Sequence, residues 1–305
     1  MKFSIFQETR IGGRSSNQDR IVYCYSKESL MMVVADGMGG HKHGELAAQL
    51  TVQYMTKLFQ KMARPLVEDP FHFLDDAIYG AHRIIQNHAF DKMLADTPRT
   101  TVVACIVQEG AAYWAHVGDS RLYFIHNEKL TSRTRDHSRV QRLLDQGAIT
   151  EEEAAKHPDR NKIFNCLGGE QPPKVELSSR VRLSNGDILA LCTDGVWGYF
   201  SDDEFSQALC LGAIAETTPR LMDRAERLGQ GHGDNLSAIV MQWKEETSVE
   251  NPFTISTMSM PEDGFTTGQE GSHTNQALKP LDDYEIERTI SEIKASIKKF
   301  NANIK

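Results

Sequence analysis

The stretch Thr100–Ile125, TTVVACIVQEGAAYWAHVGDSRLYFI, decides the fold. Three apolar runs, Thr100–Val107, Ala111–Val117 and Arg121–Ile125, are separated by Glu109-Gly110 and Gly118-Asp119. Short runs rich in β-branched and aromatic residues with turn pairs between them read as strands of an antiparallel meander. A βαβ alternation needs a helix between strands, and none fits here. Upstream the period is different. Ala47, Leu50, Tyr54, Leu58 and Met62 recur at helical spacing within Gly44–Met62. Asp69 before Pro70 is an N-cap followed by proline at the first helical position, opening a second helix with Phe71, Leu74, Ile78, Ala81 and Ile85 on its buried stripe.

Downstream, residues 138–170 read as a mobile flap between strands. A helix ends at Gly147, and Thr150 with Glu153 forms a capping box. Val181–Thr193 returns to strands around the turn Asn185-Gly186-Asp187, helices start at Ser201 and at Thr218-Pro219, and the last core strand is Leu236–Trp243. Residues 245–281 lose their apolar content and read as a flexible polar linker. Residues 282–305 form an amphipathic helix, with Ile286, Ile290, Ile293, Ile297 and Phe300 on one face, acids at its start and lysines at its end. That helix docks on its own catalytic domain, residues 1–244, docks on a partner, or self-associates.

The net charge of −8 argues against non-specific binding of nucleic acid, which needs a basic face. The longest apolar run, Leu30–Ala35, is too short to span a membrane, and the first ten residues carry no secretory apolar region. Five cysteines at unpaired spacings read as reduced thiols, which suits the cytoplasm.

Four aspartates sit at strand ends. Asp36, Asp119 and Asp194 each follow an apolar run, and Asp234 opens one. If those ends converge, they gather carboxylates at a site suited to a hard divalent cation such as Mg2+ or Mn2+. The chemistry to expect is metal-assisted hydrolysis. In Asp36-Gly37-Met38-Gly39-Gly40-His41 the glycines allow close backbone approach, and the Gly37 carbonyl can act as an extra oxygen ligand. The segment lacks G-x-G-x-x-G and a following Lys-Ser/Thr, so it is not a phosphate-cradling P-loop. Arg14, in a polar stretch leading to Asp19, suits a phosphate because its planar fork makes two parallel charge-assisted bonds.

Seven motifs occur in the order and approximate spacing of one family. They are Arg14–Asp19, Val34–His41 with Gly44-Glu45, Thr100-Thr101, Val117–Arg121, Asp136-His137-Ser138, Thr193–Trp197 and Asp234-Asn235. The chain from about residue 4 to about residue 244 resembles the metal-dependent type 2C (PPM) serine/threonine protein phosphatases, bacterial branch. The resemblance implies an α+β fold: a central β-sandwich of two antiparallel sheets flanked by helix pairs in four α-β-β-α layers, here with a C-terminal extension. It also implies a centre of two Mn2+ or Mg2+ ions. Asp36 would bridge them, the Gly37 carbonyl would bind one, Asp194 and Asp234 would complete the other, and Asp19 would hold water on the metals. Asp119 resembles the ligand of a third, weaker metal.

In the implied reaction a metal-activated water attacks phosphorus, Arg14 clamps the phosphate oxygens, and His41 is the nearest proton donor for the leaving alkoxide. Met38 stands where some family members carry a histidine directly after the Asp-Gly pair, so a metal-bound water is the competing proton source. His137 reads as an anchor for the start of the flap. The expected partners are phosphorylated Ser/Thr proteins and a serine/threonine kinase, with the catalytic domain monomeric. Two rival functions are a metallophosphoesterase for small molecules and a non-catalytic phosphoprotein-binding module. The retained Asp36, Asp194 and Asp234 oppose the second, because adjacent carboxylates repel one another without a cation.

Overall fold

A computed structural model describes residues 1–38, 43–245, 254–270, 284 and 286–291. The strands are β1 (Lys2–Arg10), β2 (Arg20–Tyr25), β3 (Ser29–Ala35), β4 (Val102–Gln108), β5 (Ala111–Val117), β6 (Arg121–His126), β7 (Lys129–Arg133), β8 (Glu176–Leu177), β9 (Val181–Arg182), β10 (Ile188–Cys192), β11 (Leu236–Lys244), β12 (Thr254–Ser256) and β13 (Thr266–Glu270). The helices are α1 (Gly44–Met62), α2 (Pro70–Asp91), α3 (Arg139–Asp145), α4 (Glu151–Ala155), α5 (Asp194–Trp197), α6 (Asp202–Cys210) and α7 (Ile214–Leu228).

The strands form two antiparallel sheets. One has the order β12-β1-β11-β10-β6-β7; the other runs β13-β2-β3-β4-β5-β8, with β9 also pairing β5. Strand alternation explains how they stack. Leu30, Met32 and Val34 of β3 enter the core between the sheets, whereas Met31, Val33 and Ala35 pack under α1 and α2. On β10, Leu189 and Leu191 face the inter-sheet core, while Ile188, Ala190 and Cys192 pack against α6 and α7. Both faces of these strands are covered, which is why they read as continuous apolar runs. The result is the four-layer α-β-β-α sandwich.

Local signals place the helices. Asp69 accepts from the backbone N–H groups of Phe71 and His72, and Ser201 and Glu204 complete a capping box at α6, as Thr150 and Glu153 do at α4.

Four expectations differ from the structure. The stretch Thr100–Ile125 is not one meander: β4 pairs β5 over seven positions, but β6 lies in the other sheet beside β10. Gly118-Asp119-Ser120 therefore crosses between sheets. Gly118 has φ of +109°, and a Cβ there would lie 2.6 Å from the Thr101 side chain, so the crossing requires glycine. Likewise Val181–Thr193 is no hairpin, since β9 joins β5 and β10 joins β6 and β11. Helix α7 begins four residues before Thr218 and carries Pro219 inside it, forgoing one backbone bond while its apolar face stays packed. Finally, residues 245–281 are not linker throughout. β12 pairs β1 and β13 pairs β2, extending each sheet by one edge strand. Edge pairing needs backbone partners more than apolar composition, so three packed side chains, Ile255, Met260 and Phe265, are enough.

Of the C-terminal helix, Tyr284 and residues 286–291 are described, and they are helical. Ile286 is buried in the cluster beneath α1 and α2, Ile290 packs beside it, and Glu287 pairs with Lys61. The described part of the helix thus docks on its own domain. No helix among the described residues is long and apolar enough to cross a membrane.

Candidate metal centre

The sheet switch at Gly118 brings strand ends from both sheets to one end of the sandwich. Asp19 stands immediately before β2, Asp36 immediately after β3, Asp119 between β5 and β6, Asp194 at the start of α5, and Asp234 two residues before β11. Each is placed by its own backbone neighbours. The Asp36 carbonyl accepts from Thr101 N–H at 2.9 Å and from Thr100 Oγ1 at 2.7 Å. Thr101 Oγ1 in turn lies 2.7 Å from Ser120 Oγ, tying the Asp36 turn to the Asp119 turn. Gly37 abuts the start of α1 so closely that a Cβ would lie 2.5 Å from the Gly44 carbonyl group. No side chain fits there.

Asp19 is 1% exposed, and its Oδ2 accepts from Thr193 Oγ1 at 3.0 Å. The Asp119 carbonyl accepts from Trp197 Nε1 at 3.0 Å. The Arg121 guanidinium stacks 3.4 Å over the Trp197 ring and forks onto buried Asp136 through two 2.8 Å bonds. Asn235 binds three parts of the N-terminal loop: its Nδ2 donates to the carbonyls of Ile11 and Ser16, and its Oδ1 accepts from Gln18 N–H. That loop carries Arg14, whose Nε and Nη2 donate to the two carboxylate oxygens of Asp234 at 2.8 and 2.6 Å.

The electrostatics show that these groups face one another. Burial, then the charges of Asp19, Asp194, Asp119 and Asp234, push the Asp36 carboxyl well above its ordinary range. Asp119 is raised by burial and by Asp194 and Asp136, against a lowering from Arg121. Burial raises Asp19 to about 7, with Asp194 and Asp234 adding to the push against hydrogen bonds from Ser237 and Thr193. Asp194 rises to about 6 through burial and Asp234. Its surface is half-buried, open on one side, yet its Oδ1 is enclosed with no hydrogen-bond partner. Crowded carboxylates with raised proton affinity, an orphaned oxygen and an all-oxygen donor set together fit hard divalent cations.

Asp19, Asp36, Gly37, Asp119, Asp194 and Asp234 are therefore brought together, with Arg14 at the rim engaging Asp234. His41 lies outside the described residues. Sequence reasoning gave no role to Asn235, Thr193, Trp197, Arg121 or Asp136. All five lie within the seven motifs of the sequence, but what each touches becomes visible only through long-range contacts such as the sheet crossing. A cavity of about 400 Å3, lined in part by His116, Arg133, Glu176 and Ser178, contains none of the five aspartates and is separate from the centre.

The family model for Protein phosphatase 2C matches residues 7–230 of the chain. The chain belongs to the protein phosphatase 2C family. Among other 2C-type phosphatases, a Streptococcus pyogenes serotype M6 chain, named a protein phosphatase 2C-type, is 35% identical over 253 residues, covering 81% of this chain and 99% of that one. The serine/threonine protein phosphatase PstP of Mycobacterium tuberculosis is 33% identical over 228 residues; the match covers 74% of this chain and 42% of PstP. Two solved serine/threonine phosphatase structures share the fold. Stp1 of Staphylococcus aureus superposes with a TM-score of 0.72 at 30% identity, covering 80% of this chain and 96% of Stp1. The PstP catalytic domain in complex with two manganese ions superposes with a TM-score of 0.68 at 29% identity, covering 80% of this chain and all of that domain.

Proposed function

We propose that this chain hydrolyses phosphoserine and phosphothreonine in proteins with two divalent cations, Mn2+ or Mg2+, and a third held more weakly. The observation that carries the reading is the convergence of Asp19, Asp36, Asp119, Asp194 and Asp234 at one end of the sandwich. Asp36 with the Gly37 carbonyl, Asp194 and Asp234 would hold the two cations, and Asp119 the third. The two manganese ions in the PstP catalytic domain support that count. Bound there, such cations acidify water and polarise phosphoryl oxygens.

The chain's own residues do the positioning. Asp19, fixed by Thr193, accepts a hydrogen bond from the attacking water. Arg14 presents the same fork that grips Asp234, and that fork matches two oxygens of a phosphoryl group as charge develops. Asn235 holds the Arg14 loop in place. The leaving alkoxide needs a proton, for which His41 is the proposed donor.

The partners of this chemistry are phosphorylated proteins and the serine/threonine kinase that marks them, with signal transduction as the setting and a monomeric catalytic domain as the working unit. Five unpaired cysteines, three of them buried, support action in the reducing cytoplasm. The test is phosphate release from a phosphothreonine peptide and from a phosphorylated metabolite, each with Mn2+ and with chelator. Peptide turnover exceeding metabolite turnover and lost in chelator is the expected result. Preference for the metabolite, or no turnover of either, would overturn the reading.

A further inference from the structure

His137 follows the buried Asp136 that anchors Arg121, and it is 7% exposed. Its ring and backbone touch three separate parts of the chain. On one side the Gly118 N–H donates to its Nδ1 at 3.2 Å, and its own N–H donates to the Gly118 carbonyl at 2.9 Å. Gly118 is the residue before Asp119. On the other side the flap is attached: Phe164 N–H donates to the His137 carbonyl, Asn165 Nδ2 lies 2.8 Å from Nδ1, and the Phe164 ring packs 6.0 Å away. Glu176 on β8 lies 3.3 Å from Nε2.

These contacts fix where the ring proton sits. Asn165 Oδ1 accepts from Lys174 N–H and its Nδ2 donates to the Lys174 carbonyl, so the amide cannot turn around. Nδ1 therefore receives two N–H donors and must carry a lone pair, which leaves the proton of the neutral ring on Nε2, directed at Glu176. The same assignment opposes a transition metal among His116, His137 and Glu176, whose ligand atoms lie within 4.8 Å of one another, because binding through Nε2 would move the ring proton to Nδ1 against its two donors.

We propose that His137 is a positioning residue: through its Nδ1 lone pair it fastens the Gly118-Asp119 turn and the flap residue Asn165 to one point, so that a cation on Asp119 and the placement of the flap are linked. The link rests on the reading of Asp119 as a cation ligand. It is reciprocal, as any such coupling is.

Two near-isosteric variants separate the functions of the ring. His137→Asn keeps an acceptor where Nδ1 stands, whereas His137→Gln keeps a polar end where Nε2 stands and loses the acceptor. The readout is trypsin cleavage of the full chain in the flap, where Arg142, Arg160 and Lys162 are exposed, with Mn2+ or with chelator. In the wild type Mn2+ slows cleavage several-fold. The Asn variant keeps that protection; the Gln variant and Asp119→Asn lose it. Should His137→Gln fail to fold, Asn165→Ala, altered on the flap side, gives the same test: protection falls and half-saturation by Mn2+ rises several-fold. Mn2+-insensitive cleavage in the wild type, equal behaviour of the Asn and Gln variants, or full protection in Asn165→Ala would each overturn the proposal. Wild-type phosphopeptide turnover, measured alongside, shows whether a failure concerns only this link or the hydrolytic reading itself.

Discussion

Asp194→Asn removes one charge from the cluster, and its effect on stability has opposite signs with and without cations. In the folded chain Asp194 is raised from 3.8 to about 6 and Asp19 from 3.8 to about 7. Between those limits the native state holds protons that the unfolded chain has released. Each group therefore stabilises the fold fully below about pH 4, and that contribution disappears as pH rises through 6 to 7. A rise from 3.8 to about 6 corresponds to on the order of 3 kcal/mol. Asp194 keeps one side open to solvent, so about 1–2 kcal/mol is the gain expected for Asp194→Asn in chelator at neutral pH. For a domain of this size that is roughly 3–6 °C in Tm.

Mn2+ reverses the order. Wild type gains about 2.7 kcal/mol for a site filled at a hundredfold excess over Kd, and the variant gains less. The assay is thermal unfolding at about pH 5, 6.5 and 7.5, in chelator and in Mn2+. The Mn2+-minus-chelator difference also cancels the buried histidines, whose pH dependence runs the other way. Asp194→Asn melting below wild type in chelator at the highest pH would refute the reasoning, as would a Mn2+ gain that does not grow with pH.

Burial lowers His82 to about 4, and its Nδ1 accepts from Gly168 N–H. Its contribution is full above about pH 6.5 and is lost as pH falls toward 4, on the order of 3 kcal/mol, so His82→Asn should flatten the acid limb of a Tm–pH curve. Asn235→Ala removes three part-buried hydrogen bonds to backbone groups of the Arg14 loop, costing about 1–3 kcal/mol. Its kcat/KM on a phosphopeptide should fall by up to about 100-fold, and wild-type kinetics would show that the loop is placed by something else. Ile286→Asp should release the C-terminal helix and cost about 2 kcal/mol while leaving hydrolysis of a small aryl phosphate unchanged; unchanged stability would show that the helix contributes no packing. Gly118→Ala should lower the Mn2+ requirement of no substrate and weaken turnover of all, because the crossing beside Asp119 has no room for a Cβ.

Helices α1, α2, α4 and α6 were legible in the sequence because capping residues and a 3.6 period mark them within a few residues. The carboxylates were legible as well, since each terminates or opens an apolar run. Sheet membership was not. A turn such as Val117-Gly118-Asp119-Ser120 has the same local chemistry whether it closes a hairpin or crosses between sheets, and only packing on both faces of β5 and β6 decides. Edge strands β12 and β13 were hidden for a related reason: their hydrogen bonds are backbone groups, which composition does not record. Thr193 and Trp197 stand in a recognisable motif, but their roles, Thr193 bonding Asp19 and Trp197 bonding the Asp119 carbonyl, depend on contacts spanning 174 and 78 residues that no local pattern records.

The central claim is that acidic side chains far apart in sequence share hard cations. Anomalous scattering from crystals grown in Mn2+ tests it most directly. The account predicts two strong peaks, both within coordination distance of the Asp36 carboxylate, with Asp194 and Asp234 completing one of them. Peaks elsewhere on the molecule, with Asp36 and Asp194 touching none, would contradict it.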